Sequence, residues 1–182
     1  MAQTFKFNGN GKFNREDLIL FMNLKVISAD KDGIVFDTET PNWVPIGEDN
    51  DEITREHNNE TDSKKNVLGK ITINATSGAE TTEIDPIAIR GNEELSYILY
   101  IIHKYSLVGD KAAVPCMEVS LFDKQTTEGT YGAFTETAII DEKSFGGGTS
   151  EIDAPITLNW KGDKVHGTYN LEQNTFTEIT EA

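Results

Sequence analysis

Three histidines, one cysteine and one run of glycines are the residues of this 182-residue chain that could bring metal, nucleophilic or phosphate chemistry. A metal site needs ligands a few positions apart on one element, or two such pairs. His57, His103 and His166 are far apart in sequence and form no i,i+4 pair; they read as a loop residue, a helix C-terminal residue and a polar strand residue. Cys116 is the only cysteine, so it closes no disulfide within the chain and belongs to no Cys-x-x-Cys pair. With Val114, Met117 and Val119 around it, and no His or Lys beside it to lower its pKa, it reads as a half-buried strand thiol. Gly146-Gly147-Gly148 is followed by neither Lys-Ser/Thr nor a helical pattern, so it reads as a turn, not a phosphate cradle. There is no Gly-x-Ser-x-Gly elbow.

Ser28 to Glu39 partly matches a calcium loop, with Asp30, Asp32, Gly33 and Glu39 at the third, fifth, sixth and twelfth positions. Its first position is Ser28, and Pro41 blocks the helix that should follow, so Asp30-Lys31-Asp32-Gly33 is read as a hairpin turn. Carboxylates are too numerous for any two to be paired as acid and base. The chain is therefore expected to be no enzyme and to carry no cofactor and no metal.

Stepping from chemistry to charge, 16 basic and 31 acidic residues give a formal net charge of -15 and a pI of about 4.5. Such a surface repels phosphate backbones and argues against adhesive nucleic-acid binding. It suits a wall past which DNA must move without sticking, and equally serves solubility. No apolar run approaches the ~20 residues of a membrane span. The N-terminus lacks the apolar core of a secretory signal, so folding in a cytoplasm and no membrane association are expected.

Short segments of period-2 alternation between turn residues predict a mainly β protein. Strands are expected over Leu18–Lys25, Ile34–Phe36, a short piece around Trp43 and Val44, Val67–Ala75, Ala113–Phe122, Thr130–Ile140, Ile152–Trp160, Val165–Leu171 and Thr175–Ile179. Lys161-Gly162-Asp163 and Gln173-Asn174 read as hairpin turns. Glu48 to Asp62 holds seven carboxylates, one Arg and a single aliphatic residue, Ile53, and is read as a long exposed loop, about 48–66. One helix is predicted over Glu93–Ser106, capped by Gly91-Asn92. Leu95, Ile98, Leu99 and Ile102 are its core stripe, while Tyr97, Tyr100, Ile101 and Tyr105 make the remaining surface apolar as well. A surface helix needs one such stripe, so the second packs against either the surrounding strands or a neighbouring subunit. The fold class expected is a single domain over 1–182, a β-sandwich or barrel with one flanking helix, preceded by a mobile arm of about residues 1–17.

Two stretches resemble a known family. Trp43-Val44-Pro45-Ile46-Gly47, the polar loop to Thr61 and Lys64-Lys65-Asn66-Val67-Leu68-Gly69 resemble the amino-terminal part of major tail (tail tube) proteins from phages and prophages of Gram-positive bacteria. Gly146 to Thr149, Pro155 to Trp160, Gly162 to Tyr169 and Thr175-Phe176-Thr177 are similar to that family's closing hairpins, with Asp85-Pro86 and the helix between them. Residues 26–40 look like an added hairpin, and the first seventeen residues match nothing in the family's pattern.

The resemblance implies a virion tail subunit that self-assembles, six copies to a ring, into stacked rings around a DNA channel. Tape-measure, tail terminator and distal tail proteins would be its further partners, and DNA would pass without specific binding. The implied ring-stacking residues are those of the loop: Glu48, Asp49, Asp51, Glu52, Arg55, Glu56, Glu60, Asp62, Lys64 and Lys65. Thr72, Asn74, Glu118 and Ser120 are candidates for the channel wall, and Tyr97, Tyr100, Ile101 and Tyr105 for subunit contact. Deleting 50–59 is expected to leave the fold intact and abolish stacking. Two alternatives stand beside this one. One is the tube of a contractile tail, phage-derived particle or secretion needle; the other is a monomeric β-sandwich binding module using exposed Trp43 or Trp160.

Overall fold

Alternation carries most of the chain into antiparallel strands. The structure, a computed structural model, describes residues 11–179. The first four strands are β1 (Leu18–Asn23), β2 (Val26–Asp30), β3 (Gly33–Phe36) and β4 (Trp43–Pro45). Then come β5 (Arg55–Glu56), β6 (Glu60–Lys65), β7 (Ile71–Thr76) and β8 (Thr81–Ile84), followed by helix α1 (Glu94–Tyr105). The last four are β9 (Ala113–Lys124), β10 (Thr130–Glu142), β11 (Ile156–Asn170) and β12 (Thr175–Glu178). The large sheet runs β4-β1-β9-β10-β11-β8-β5, with β12 also paired to β11; β2–β3 and β6–β7 are separate hairpins.

Both faces of the large sheet are buried. On one, Met22, Val114, Cys116, Ala138, Ile140, Ile156 and Leu158 join Leu95, Ile98, Leu99, Ile101 and Ile102 of α1 and Ile34 and Phe36 of β3. On the other, Phe21, Trp43, Met117, Val119, Ala133 and Tyr169 form a second core. That core is closed because the sheet curls. In a flat sheet β1 and β11 would lie three steps of about 4.8 Å apart, yet the rings of Phe21 and Tyr169 stand 5.2 Å apart. Asn174, in the β11–β12 turn, accepts from the Tyr169 hydroxyl at 2.8 Å and donates to the Trp43 carbonyl at 3.4 Å, bringing that turn to the edge strand. The result is a mainly β fold of sandwich type with one flanking helix.

Several expectations need correction. Lys161-Gly162-Asp163 is no hairpin turn: β11 runs straight through it, because both halves pair with β10 and Gly162 at φ 101° absorbs a bulge opposite Thr135–Thr137. The cap of α1 is Glu93, not Asn92, and Ile101 is 4% exposed in the molecule's own core, which removes it from the subunit-contact face. Cys116 is fully buried rather than half-buried, and burial pushes its thiol far above the ordinary range. The strand expected over Val67–Ala75 begins only at Ile71, since Asn66–Lys70 forms a hairpin tip. The arm expected over 1–17 lies largely outside the described residues. Its described part is held, with Phe13 stacked on Phe122 at 4.8 Å and Arg15 donating to the Ile53 carbonyl at 2.9 Å.

Candidate functional site

The acidic stretch expected to be one exposed loop divides at Asn58. Its first half docks. Ile53 packs against the helix-side core, and Gly47, at φ 113°, makes room for it: a Cβ there would come within 2.6 Å of the Ile53 Cδ1. Asp49 pairs with Arg90 at 2.5 Å, which holds its carboxyl below the usual range, and Asn50 donates to the Pro86 carbonyl at 2.9 Å.

Arg55 is the centre of this half. Its guanidinium lies over the Trp160 ring, 4.0 Å from the centroid, donates to Glu136 at 2.6 Å and forms an ion pair with Glu80. His57 Nδ1 lies 2.7 Å from Glu80, and Lys164 Nζ 3.4 Å from it. Burial alone would raise the Glu80 carboxyl, but hydrogen bonds from His57 and Arg55, with the charges of Arg55 and Lys164, bring it down to about 2. Arg55 is thus committed within its own chain. It is not available to pair across a ring joint, and excising residues 50–59 would strip the fold of Ile53 and Arg55 rather than leave it intact.

The second half leaves the body. β6 and β7 pair from Glu60↔Thr76 to Lys65↔Ile71, and every residue from 56 to 77 is exposed. The tip is well built: the Asn66 side-chain oxygen accepts from the Leu68 and Lys70 amides at 3.0 Å each, and Gly69 takes φ 79°. The root is clamped as well, with Asn58 donating to Ala79 at 2.8 Å and Thr81 at 3.1 Å. Between tip and root no other described residue covers it. Val67 is 101% exposed, Leu68 89%, Ile71 61% and Ile73 67%. Ser63 to Asn74 carries Lys64, Lys65 and Lys70 and no carboxylate, a basic, apolar segment on an acidic protein.

The other candidates scatter. Thr72 and Asn74 lie opposite Lys64 and Asp62 on the hairpin's polar face. Glu118 and Ser120 belong to β9 in the large sheet, opposite Leu20 and Leu18 of β1, so the two pairs lie in different sheets of the molecule. Burial raises the Glu118 carboxyl, with the charge of Arg55 the largest opposing influence. On α1, Tyr97, Tyr100 and Tyr105 are exposed. Lys104 sits over the rings of Tyr105 and Tyr100, and Tyr97 and Tyr100 line an open groove of about 990 Å³ with Phe145 and Ile152. The acidic residues Glu48, Asp51, Glu52 and Glu56 stay at the surface of the docked half, while Glu60 and Asp62 stand on the hairpin.

Sequence reading missed the exposed hairpin-tip residues Val67 and Leu68, which it had placed in a strand, and the carboxylates Glu80 and Glu136 that claim Arg55. The absence of any acid from Ser63 to Asn74 was the available signal for the tip. Nothing local marks Glu136, 81 positions from Arg55. Among the described residues, no three His, Cys, Asp or Glu side chains are grouped to hold a metal ion, and no helix is long and apolar enough to cross a membrane. No protein-family model matches the chain, and no curated protein matches it.

Proposed function

We propose that this protein is a structural subunit that assembles with copies of itself into stacked, ring-based tubes of the phage tail type, with DNA passing through the lumen. The observation that carries this reading is the β6–β7 hairpin. A two-stranded hairpin alone is marginal in water, and this one presents four large aliphatic side chains to solvent with no other described residue packed over them. Such a surface marks an interaction site. Pairing with sister subunits would bury it, as sharing strands in a ring would protect the short edge strands β4, β5 and β12. The acidic surface suits a channel that does not hold its cargo.

The binding-module alternative rests on a tryptophan platform, which the side chains do not favour. Trp43 is 7% exposed, and Arg55 covers a face of Trp160.

Negative-stain imaging of the purified chain across a concentration series tests the proposal. Rings or hollow rods are expected for the full chain. A variant with residues 61–75 replaced by a short Gly-Ser turn should keep the monomer's melting transition and form neither. A persistent monomer from the full chain at every concentration would overturn the reading.

A further inference from the structure

The hairpin tip and the helix-side groove are two uncovered apolar features among the described residues, and they complement each other. The groove is lined by Leu24, Val26, Tyr97, Tyr100, Phe145 and Ile152, and its volume of about 990 Å³ lies at the upper end of ligand-sized clefts. Its rim is acidic in balance. Lys25 is matched by Asp37 at 3.0 Å, and Arg90 is shared between Asp49 at 2.5 Å and Glu93 at 3.8 Å, so that with Glu94 the rim holds more carboxylates than cations. The tip offers the opposite: Val67 and Leu68 stand out in solvent between Lys65 and Lys70, with Lys64 beside them paired to Asp62 at 3.6 Å.

From this pairing of apolar surface and of charge, we infer that the Val67–Leu68 tip of one copy seats in the α1 groove of a second copy, with its lysines toward Glu93 and Glu94. The inference rests on the self-assembly reading and names the receiving surface. Because tip and groove are different parts of the chain, the contact is head-to-tail. Such contacts close into rings or grow as open stacks, whereas a symmetric contact stops at a dimer.

Cysteine crosslinking tests it, since the native thiol of Cys116 is fully buried. Under mild oxidation the double variant Leu68→Cys/Tyr97→Cys should give a ladder of covalent multimers, while each single variant stays monomeric on a denaturing gel. Both positions are exposed, so folding is unaffected. In parallel, Leu68→Asp and Ile152→Asp should each raise the concentration needed for assembly at least tenfold. If the full chain forms tubes but the ladder is absent, or both aspartate variants assemble at the wild-type concentration, this docking is overturned while the assembly reading stands. Dimers from Leu68→Cys alone would replace it with a tip-to-tip contact. If the full chain never assembles, both fall together.

Discussion

Residues 48–58 and 59–76 are neighbours in the chain that take opposite courses. The first has one aliphatic side chain, Ile53, and is bound to the body; the second exposes Val67, Leu68, Ile71 and Ile73 and stands away from it. Hydrophobic content alone would predict the reverse. Docking is decided by complementary positions in the molecule's own body: a space over Gly47 for Ile53, and Glu80, Glu136 and the Trp160 face for Arg55. The hairpin finds no such positions at home. Its apolar residues are held out by a well-formed turn and a clamped root, an arrangement that suits a surface kept for another molecule.

The largest expected effect separates the two halves by charge. Arg55→Met leaves Glu136 without its cation and Glu80 with only His57 and Lys164; the Arg55 and Glu136 side chains are 10% and 6% exposed. Breaking one side of a buried ion pair costs about 3 kcal/mol, to be read as a lower urea midpoint at unchanged slope. Substituting Lys64 or Lys65 on the hairpin should move the same midpoint by less than about 0.5 kcal/mol. Equal losses from the two would show that the hairpin is part of the folded core.

Packing gives a smaller contrast of the same kind. Ile53→Ala removes a half-buried side chain from the helix-side core and should cost about 1–2 kcal/mol, below the range for full burial. Ile73→Ala, at a side chain 67% exposed, should leave monomer stability unchanged and weaken assembly instead. If Ile73→Ala destabilised the monomer as much as Ile53→Ala, the hairpin would have to pack on its own body.

Much of the frame was legible in the sequence because period-2 alternation and turn residues are local signals. Leu18 to Lys25, Ala113 to Phe122 and Thr130 to Ile140 were each identifiable as strands, the first of them ending two residues early at Asn23, and α1 within a residue at each end. What was not legible depended on distant partners. Lys161-Gly162-Asp163 has the chemistry of a turn, and only pairing with β10 on both sides keeps the strand continuous. Ile101 resembles Tyr97 and Tyr100 in the helical pattern, but the helix-side core takes in the isoleucine and leaves the tyrosines exposed. Arg55 looked like a surface cation because its partners lie 25 and 81 positions away.

The smallest effect is in acid, where the docked half should loosen and the hairpin should not. Glu80 sits at about 2 in the folded protein against an ordinary 4.5, because His57, Arg55 and Lys164 favour its charged form. A carboxylate lowered by folding stabilises fully above its ordinary pKa, and that contribution is lost as pH falls from about 4.5 through 2. Solvent reaches this group, so the loss should be about 1 kcal/mol rather than the full linkage value. Glu118 and Glu142 act with the opposite sign: burial raises both, so acid relieves their desolvation in the folded state. Glu80→Gln should therefore be less stable than wild type at pH 7 and lose less stability between pH 5 and 2, measured by urea unfolding at each pH. Parallel acid profiles for the two proteins would mean that Glu80 does not anchor residues 48–58. The distinction between a docked and a projecting half would then rest on Ile53 and its packing alone.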